Sequence, residues 1–78
     1  MNDNIETAQV QLSYAKCLRR MRKDKKMTQL ELSRRSGLER TFISDLERFR
    51  KVPSLITMTY LAAALGTTLV EMLQGAEK

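Results

Sequence analysis

Seventy-eight residues, 42% of them hydrophobic and 29% charged, make a single small domain of globular composition. No apolar run approaches the ~18–20 residues a membrane span needs, and the N-terminus lacks a basic start followed by an apolar block, so a cytoplasmic rather than a membrane or secreted protein is expected. One cysteine, Cys17, and no histidine exclude an intrachain disulfide, a Cys-based zinc site and a zinc finger.

The formal charge is +5, and its placement says more than its size. Residues 16–51 carry thirteen of the fourteen basic side chains against five acids, a balance of +8, while the flanks are −2 and −1. Positive charge gathered on one segment suits a polyanion partner, although a solvated basic face has the same composition.

Residues 1–8, rich in Asn, Asp and Glu, read as a flexible N-terminal arm or a weak extension of the first helix. From Val10 the apolar positions Tyr14, Leu18 and Met21 recur at helical spacing, which predicts a helix from about Gln9 to Lys25. Cys17 falls in its apolar stripe and reads as a small buried hydrophobe, with a redox-sensing thiol as the alternative. The polar face carries Lys16, Arg19, Arg20, Lys23 and Lys26, and basic residues in a last turn also suit the helix dipole.

Thr28 and Glu31 have capping-box spacing and predict a second, short helix that carries Leu32 inward and stops at Gly37. A third helical pattern begins near Glu39, with Leu38, Phe42, Ile43 and Leu46 apolar and Arg40, Thr41, Ser44 and Asp45 polar. Two short helices joined by a tight glycine turn form a helix-turn-helix, whose second helix can lie in the major groove of DNA. A basic connection, Glu47 to Val52, closes on the only proline, Pro53. Ser54 then caps a fourth helix, with Leu55, Met58, Leu61, Ala62 and Leu65 on its inner face and Gly66 as its stop. Thr68 and Glu71 repeat the capping-box spacing and open a fifth helix holding Leu69, Val70, Met72 and Leu73, ended by Gly75 ahead of a 75–78 tail. No alternating β-rich run, internal repeat or low-complexity tract occurs, so the fold class is all-α. The Met and Leu stripes read as core or dimer contacts and no cofactor is expected. An enzyme is not expected either: there is no His, no Cys pair, no Gly-rich phosphate loop and no evident pair of acids across a cleft.

At the start of the third helix Arg40 can donate two parallel hydrogen bonds to guanine O6 and N7, or it can contact phosphate alone. Thr41 can offer a hydroxyl to a base or phosphate and a methyl to thymine, and Ser44 lies one turn on. A carboxylate at Asp45 could accept from cytosine N4, repel phosphate, or hold Arg40 or Arg48. Arg34, Arg35, Arg48, Arg50 and Lys51 are candidate phosphate contacts, two or three of which are expected to face DNA.

Taken in order, Met27-Thr28-Gln29, Glu31-Leu32, Gly37-Leu38, Ile43-Ser44, Leu46-Glu47-Arg48, Pro53-Ser54-Leu55 and Ala64-Leu65-Gly66 before Leu69 resemble the signature of the Xre-type family of phage repressor and Cro-like helix-turn-helix proteins. The likeness covers roughly residues 14–74, and LERTFISDLER also resembles the recognition helix of restriction–modification controller proteins. The resemblance implies a compact five-helix domain over residues 9–74, with the helix-turn-helix at helices 2 and 3. It implies a sequence-specific transcriptional regulator acting as a homodimer on double-stranded operator DNA, with half-sites ~34 Å apart if one turn separates them. RNA polymerase is then a further partner, blocked or recruited according to where the operators lie. It also implies that Gln29 grips a phosphate and braces the recognition helix, that Arg22 and Glu47 form a partly buried salt bridge, and that the C-terminal helices dimerise, here through Leu69, Val70 or Met72. A phage-type or host repressor, and an antitoxin with a DNA-binding helix-turn-helix, are the alternatives. Two positions depart from the family pattern. Phe49 stands where a glycine often ends the recognition helix, so a longer helix or a different exit is expected, and Glu39 replaces the usual Ser, Thr or Asp cap.

Overall fold

The structure, a computed structural model, describes residues 3–76, with side chains from 8 to 74. Five helices follow in order: α1 (Asp3–Asp24), α2 (Gln29–Ser36), α3 (Arg40–Glu47), α4 (Leu55–Ala64) and α5 (Leu69–Ala76), with no strand among the described residues. Helix α1 begins six residues before the predicted Gln9. The stretch read as an arm contains neither Gly nor Pro from 3 to 8, so nothing in it breaks the helix. Val10, placed in the apolar stripe, is 56% exposed because that extension runs past the core. At the other end α5 continues through Gly75 to Ala76, since one glycine in a last turn costs a helix only ~1 kcal/mol.

The caps are built from the residues the spacing named. Thr28 accepts from the Glu31 backbone N–H at 3.0 Å, Ser54 from Thr57 at 3.1 Å and Thr68 from Glu71 at 3.1 Å. Glu31 itself turns to Arg35, one turn along the helix, so the first capping box is made on one side. Glu39 precedes α3 with extended backbone but makes no side-chain cap, as its extra methylene predicted.

Helices α1, α3 and α4 end in the same turn. In each, the second residue past the cap donates back to the third-last helical carbonyl: Met27 to Arg22, Arg50 to Asp45, and Thr67 to Ala62. The residue between must be left-handed, and it is Lys26 (φ +57°), Phe49 (φ +62°) and Gly66 (φ +74°) respectively. Phe49 therefore ends α3 just where a glycine would, instead of extending it. The two hydrogen bonds of the turn outweigh the strain of a Cβ at that φ.

Helix α1 packs against α5 and α3, while α2 packs against α3 and α4. Between them Tyr14, Leu18, Leu32, Ile43, Leu46, Leu61, Leu65 and Met72 are fully buried, each side chain contributing roughly 1.5–3 kcal/mol of hydrophobic stabilisation. Met72, expected at a dimer face, is thus a core residue. Leu55, expected inside, is 69% exposed. The buried hydroxyl of Tyr14 has no hydrogen-bond partner among the described residues. Burial, with a smaller push from Cys17, raises the Tyr14 phenol far above its ordinary value. Cys17 is buried, its Sγ 3.6 Å from the Met72 carbonyl oxygen.

Candidate nucleic-acid interface

Helix α3 buries Ile43 and Leu46 and half-buries Phe42, which turns Arg40 and Thr41 fully outward and leaves Ser44 and Asp45 half-exposed. At 1.5 Å per residue its eight residues span about 12 Å, close to the ~12 Å width of the major groove. The four proposed base readers thus share one solvent-facing edge.

What holds that edge is a buried node at the far end of the helix. Arg22 from α1 donates Nε to Glu47 Oε2 at 2.7 Å and Nη2 to Oε1 at 3.0 Å, a two-pronged pair. Its Nη1 donates to the Met27 carbonyl at 2.7 Å, and Gln29 Nε2 donates to Glu47 Oε1 at 3.2 Å. One carboxylate therefore ties α1, α2 and α3 together. The Arg22 and Glu47 side chains are only 10% and 3% exposed. The hydrogen bond to Glu47 raises the Arg22 pKa, against a lowering by burial and with further help from the Glu47 charge. Gln29 braces the recognition helix through Glu47, and its role at a phosphate is taken up below.

Asp45 makes a different bond from those weighed for it. Its partner is Lys51 at 3.7 Å, not Arg40 or Arg48. The Lys51 ammonium also stands 5.6 Å from the centre of the Phe42 ring. Both contacts are solvent-exposed and contribute little to stability. Their effect is positional: they hold Lys51 against the side of α3. The spacing of Asp45 and Lys51 hides this contact, because it depends on the left-handed turn at Phe49 bringing the chain back.

The remaining cations differ in company. Arg35 is paired with Glu31 at 2.9 Å, so its charge is partly spent within α2. Arg34, Arg40, Arg48 and Arg50 are exposed and belong to no ion pair among the described residues. Of the residues expected at a dimer face, Val70 is 64% exposed and Leu69 half-buried. Further exposed apolar side chains stand on α4 and its approach: Val52, Leu55, Ile56 and Tyr60. No group of metal-ligating side chains occurs among the described residues, and no helix is long and apolar enough to cross a membrane.

Comparison with known proteins places this geometry. Residues 18–72 match the helix-turn-helix family model. An HTH-type transcriptional regulator of Sinorhizobium fredii is 45% identical over 53 residues, covering 68% of this chain and 69% of that protein. Among solved structures, the restriction–modification controller protein C.AhdI of Aeromonas hydrophila superposes with a TM-score of 0.77 at 31% identity, over 80% of this chain and 94% of its own. The controller protein C.Esp1396I, solved as a tetramer on its natural 35-base-pair operator, superposes at 0.79 with 26% identity, over 88% of this chain and 96% of its own. The chain belongs to the Xre-type, lambda-repressor-like helix-turn-helix family of DNA-binding transcription regulators.

Proposed function

We propose that the protein is a controller of a restriction–modification system, binding operator DNA as a homodimer and blocking or recruiting RNA polymerase in the cytoplasm according to operator position. The observation that carries this reading is the exposed Arg40–Thr41–Ser44 edge of α3, braced from behind by Arg22, Glu47 and Gln29. Arg40 reads guanine, Thr41 and Ser44 add base or backbone contacts, and Asp45 acts by aiming Lys51. Gln29, Arg34, Arg48, Arg50 and Lys51 take phosphates, and Arg35, paired with Glu31, contributes least. The likeness to two controller proteins, one of them solved on its operator, is what supports the controller reading.

The proposed dimer face is made of Val52, Leu55, Ile56 and Tyr60, together with Val70 and Leu69 of α5. Three of these exposed apolar side chains, Leu55, Ile56 and Tyr60, share one side of α4, and a second copy would cover them. Selection of bound duplexes from random DNA tests the function: a two-fold-related motif is expected, and recovery of no sequence that outcompetes bulk DNA would overturn the reading. Sedimentation tests the interface, where Ile56→Asp is expected to yield monomers and a dimer of unchanged affinity would place it elsewhere.

A further inference from the structure

Helix α1 carries charge that the recognition helix does not use. Lys16, Arg19, Arg20 and Lys23 are all exposed. At 100° per residue they fall within an arc of about 100° on the side turned away from Leu18, along about 10 Å of helix. Together with Asp24 they line a shallow open depression. None of the four belongs to an ion pair among the described residues. The helix dipole accounts for Lys23 in the last turn, but its effect fades before Lys16, Arg19 and Arg20 are reached. Lys16 with Arg20, and Arg19 with Lys23, are like charges four residues apart, an arrangement that repels. Asp24, one turn from Arg20, offsets this repulsion only at the C-terminal end of the stripe, and an anion would relieve the rest.

Its location selects the anion. Arg19 and Lys23 flank Arg22, the residue bound to Glu47 at the end of α3, and the same carboxylate holds Gln29 at the start of α2. The stripe thus begins one helical turn from Arg22, at the end of α1 that is tied to the C-terminal end of α3. We propose that this face of α1 is a second DNA contact, taking phosphates of the same duplex outside the base pairs that α3 reads. The contact rests on the operator-binding reading given above and adds length dependence to it. Binding tightens when duplex extends beyond the half-sites, and the added contacts set position and bend rather than sequence.

The test uses the full chain and the operator obtained by selection, in two lengths: trimmed to its half-sites, and extended by about one helical turn on each side. Wild type is expected to bind the extended duplex more tightly and with a steeper dependence on salt. K16Q/R19Q/R20Q/K23Q is expected to bind the trimmed duplex like wild type and to lose the gain from extension. Two lost phosphate contacts would flatten the salt slope by about 1.8, or roughly tenfold in affinity between about 50 and about 200 mM salt. The conservative K16R/K23R variant keeps the gain. Hydroxyl-radical footprinting of wild type gives an independent readout, with protection expected outside the half-sites. Equal binding of both lengths by wild type, or a length effect that survives the fourfold substitution, overturns the proposal while leaving operator binding intact. Failure of wild type to prefer the operator at all would instead remove the reading beneath it.

Discussion

Two carboxylates on α3, Asp45 and Glu47, are two residues apart and live in different worlds. Glu47 is 3% exposed and shared by Arg22 and Gln29; Asp45 is 30% exposed and pairs with one lysine at 3.7 Å. Burial makes the first pair expensive to break, because removing one member strands a charge out of water. Water screens the second, so its energy is small and its use is in aiming Lys51. The same eight-residue helix is thus anchored by one acid and furnished by the other. Stability belongs to the inward side, and the proposed DNA contact to the outward side.

The largest expected effect tests the anchor. Glu47→Ala leaves Arg22 without its partner and is expected to cost ~3–5 kcal/mol, a large share of what so small a domain has, measured by urea denaturation at unchanged m-value. A loss no larger than that of a surface substitution would erase the contrast. Next comes the outward edge: Arg40→Ala is expected to weaken cognate DNA by ~1–3 kcal/mol while unfolding stability and random-DNA binding barely change. Lys51→Ala is expected to weaken cognate and random DNA about equally, as checked by competition at fixed salt. Equal losses from both substitutions would remove Arg40 as a base reader.

Tyr14 sharpens the comparison from the core. Its hydroxyl is buried without a partner among the described residues, so Tyr14→Phe is expected to stabilise by ~1 kcal/mol. The folded phenol titrates above its ordinary value of 10.0, so this group's contribution is complete below pH 10 and lost as the unfolded chain ionises above it. Wild type is therefore expected to lose stability above that pH more steeply than Tyr14→Phe, by denaturation at several alkaline pH values. The smallest effects lie on the surface. Asp45→Asn is expected to change stability by less than ~1 kcal/mol while altering operator affinity through Lys51. If it unfolds the protein as Glu47→Ala does, Asp45 is an anchor too. Lys26→Gly, which relieves an exposed left-handed lysine, is expected to add ~0.5–1 kcal/mol in the same urea assay.

Several features are legible in the sequence. Local rules sufficed for the five helices, because caps at Thr28, Ser54 and Thr68 and the glycines at 37 and 66 act within a few residues of themselves. The exposed Arg40–Thr41 edge followed from the 3.6-residue period of α3, and the Arg22–Glu47 pair from family likeness. The orientation of α4 did not follow. Leu55, Ile56, Tyr60, Leu61 and Ala62 make that helix apolar all round, so periodicity cannot say which side the core takes. The pattern puts Leu55 inside, and it lies outside; the family likeness puts Met72 at a partner, and it lies inside.

The number and order of the helices, the starts of α2, α4 and α5, the polar side of α3 and the place where positive charge gathers are written in the sequence, since each depends on neighbours along the chain. Tertiary structure alone decided that Phe49 takes the left-handed turn, that Asp45 meets Lys51, that Glu47 serves Gln29 as well as Arg22, and that the outer side of α4 stays bare. These depend on residues brought together by packing. Whether a contact forms is decided by the energy of the whole assembly, not by the residues that make it.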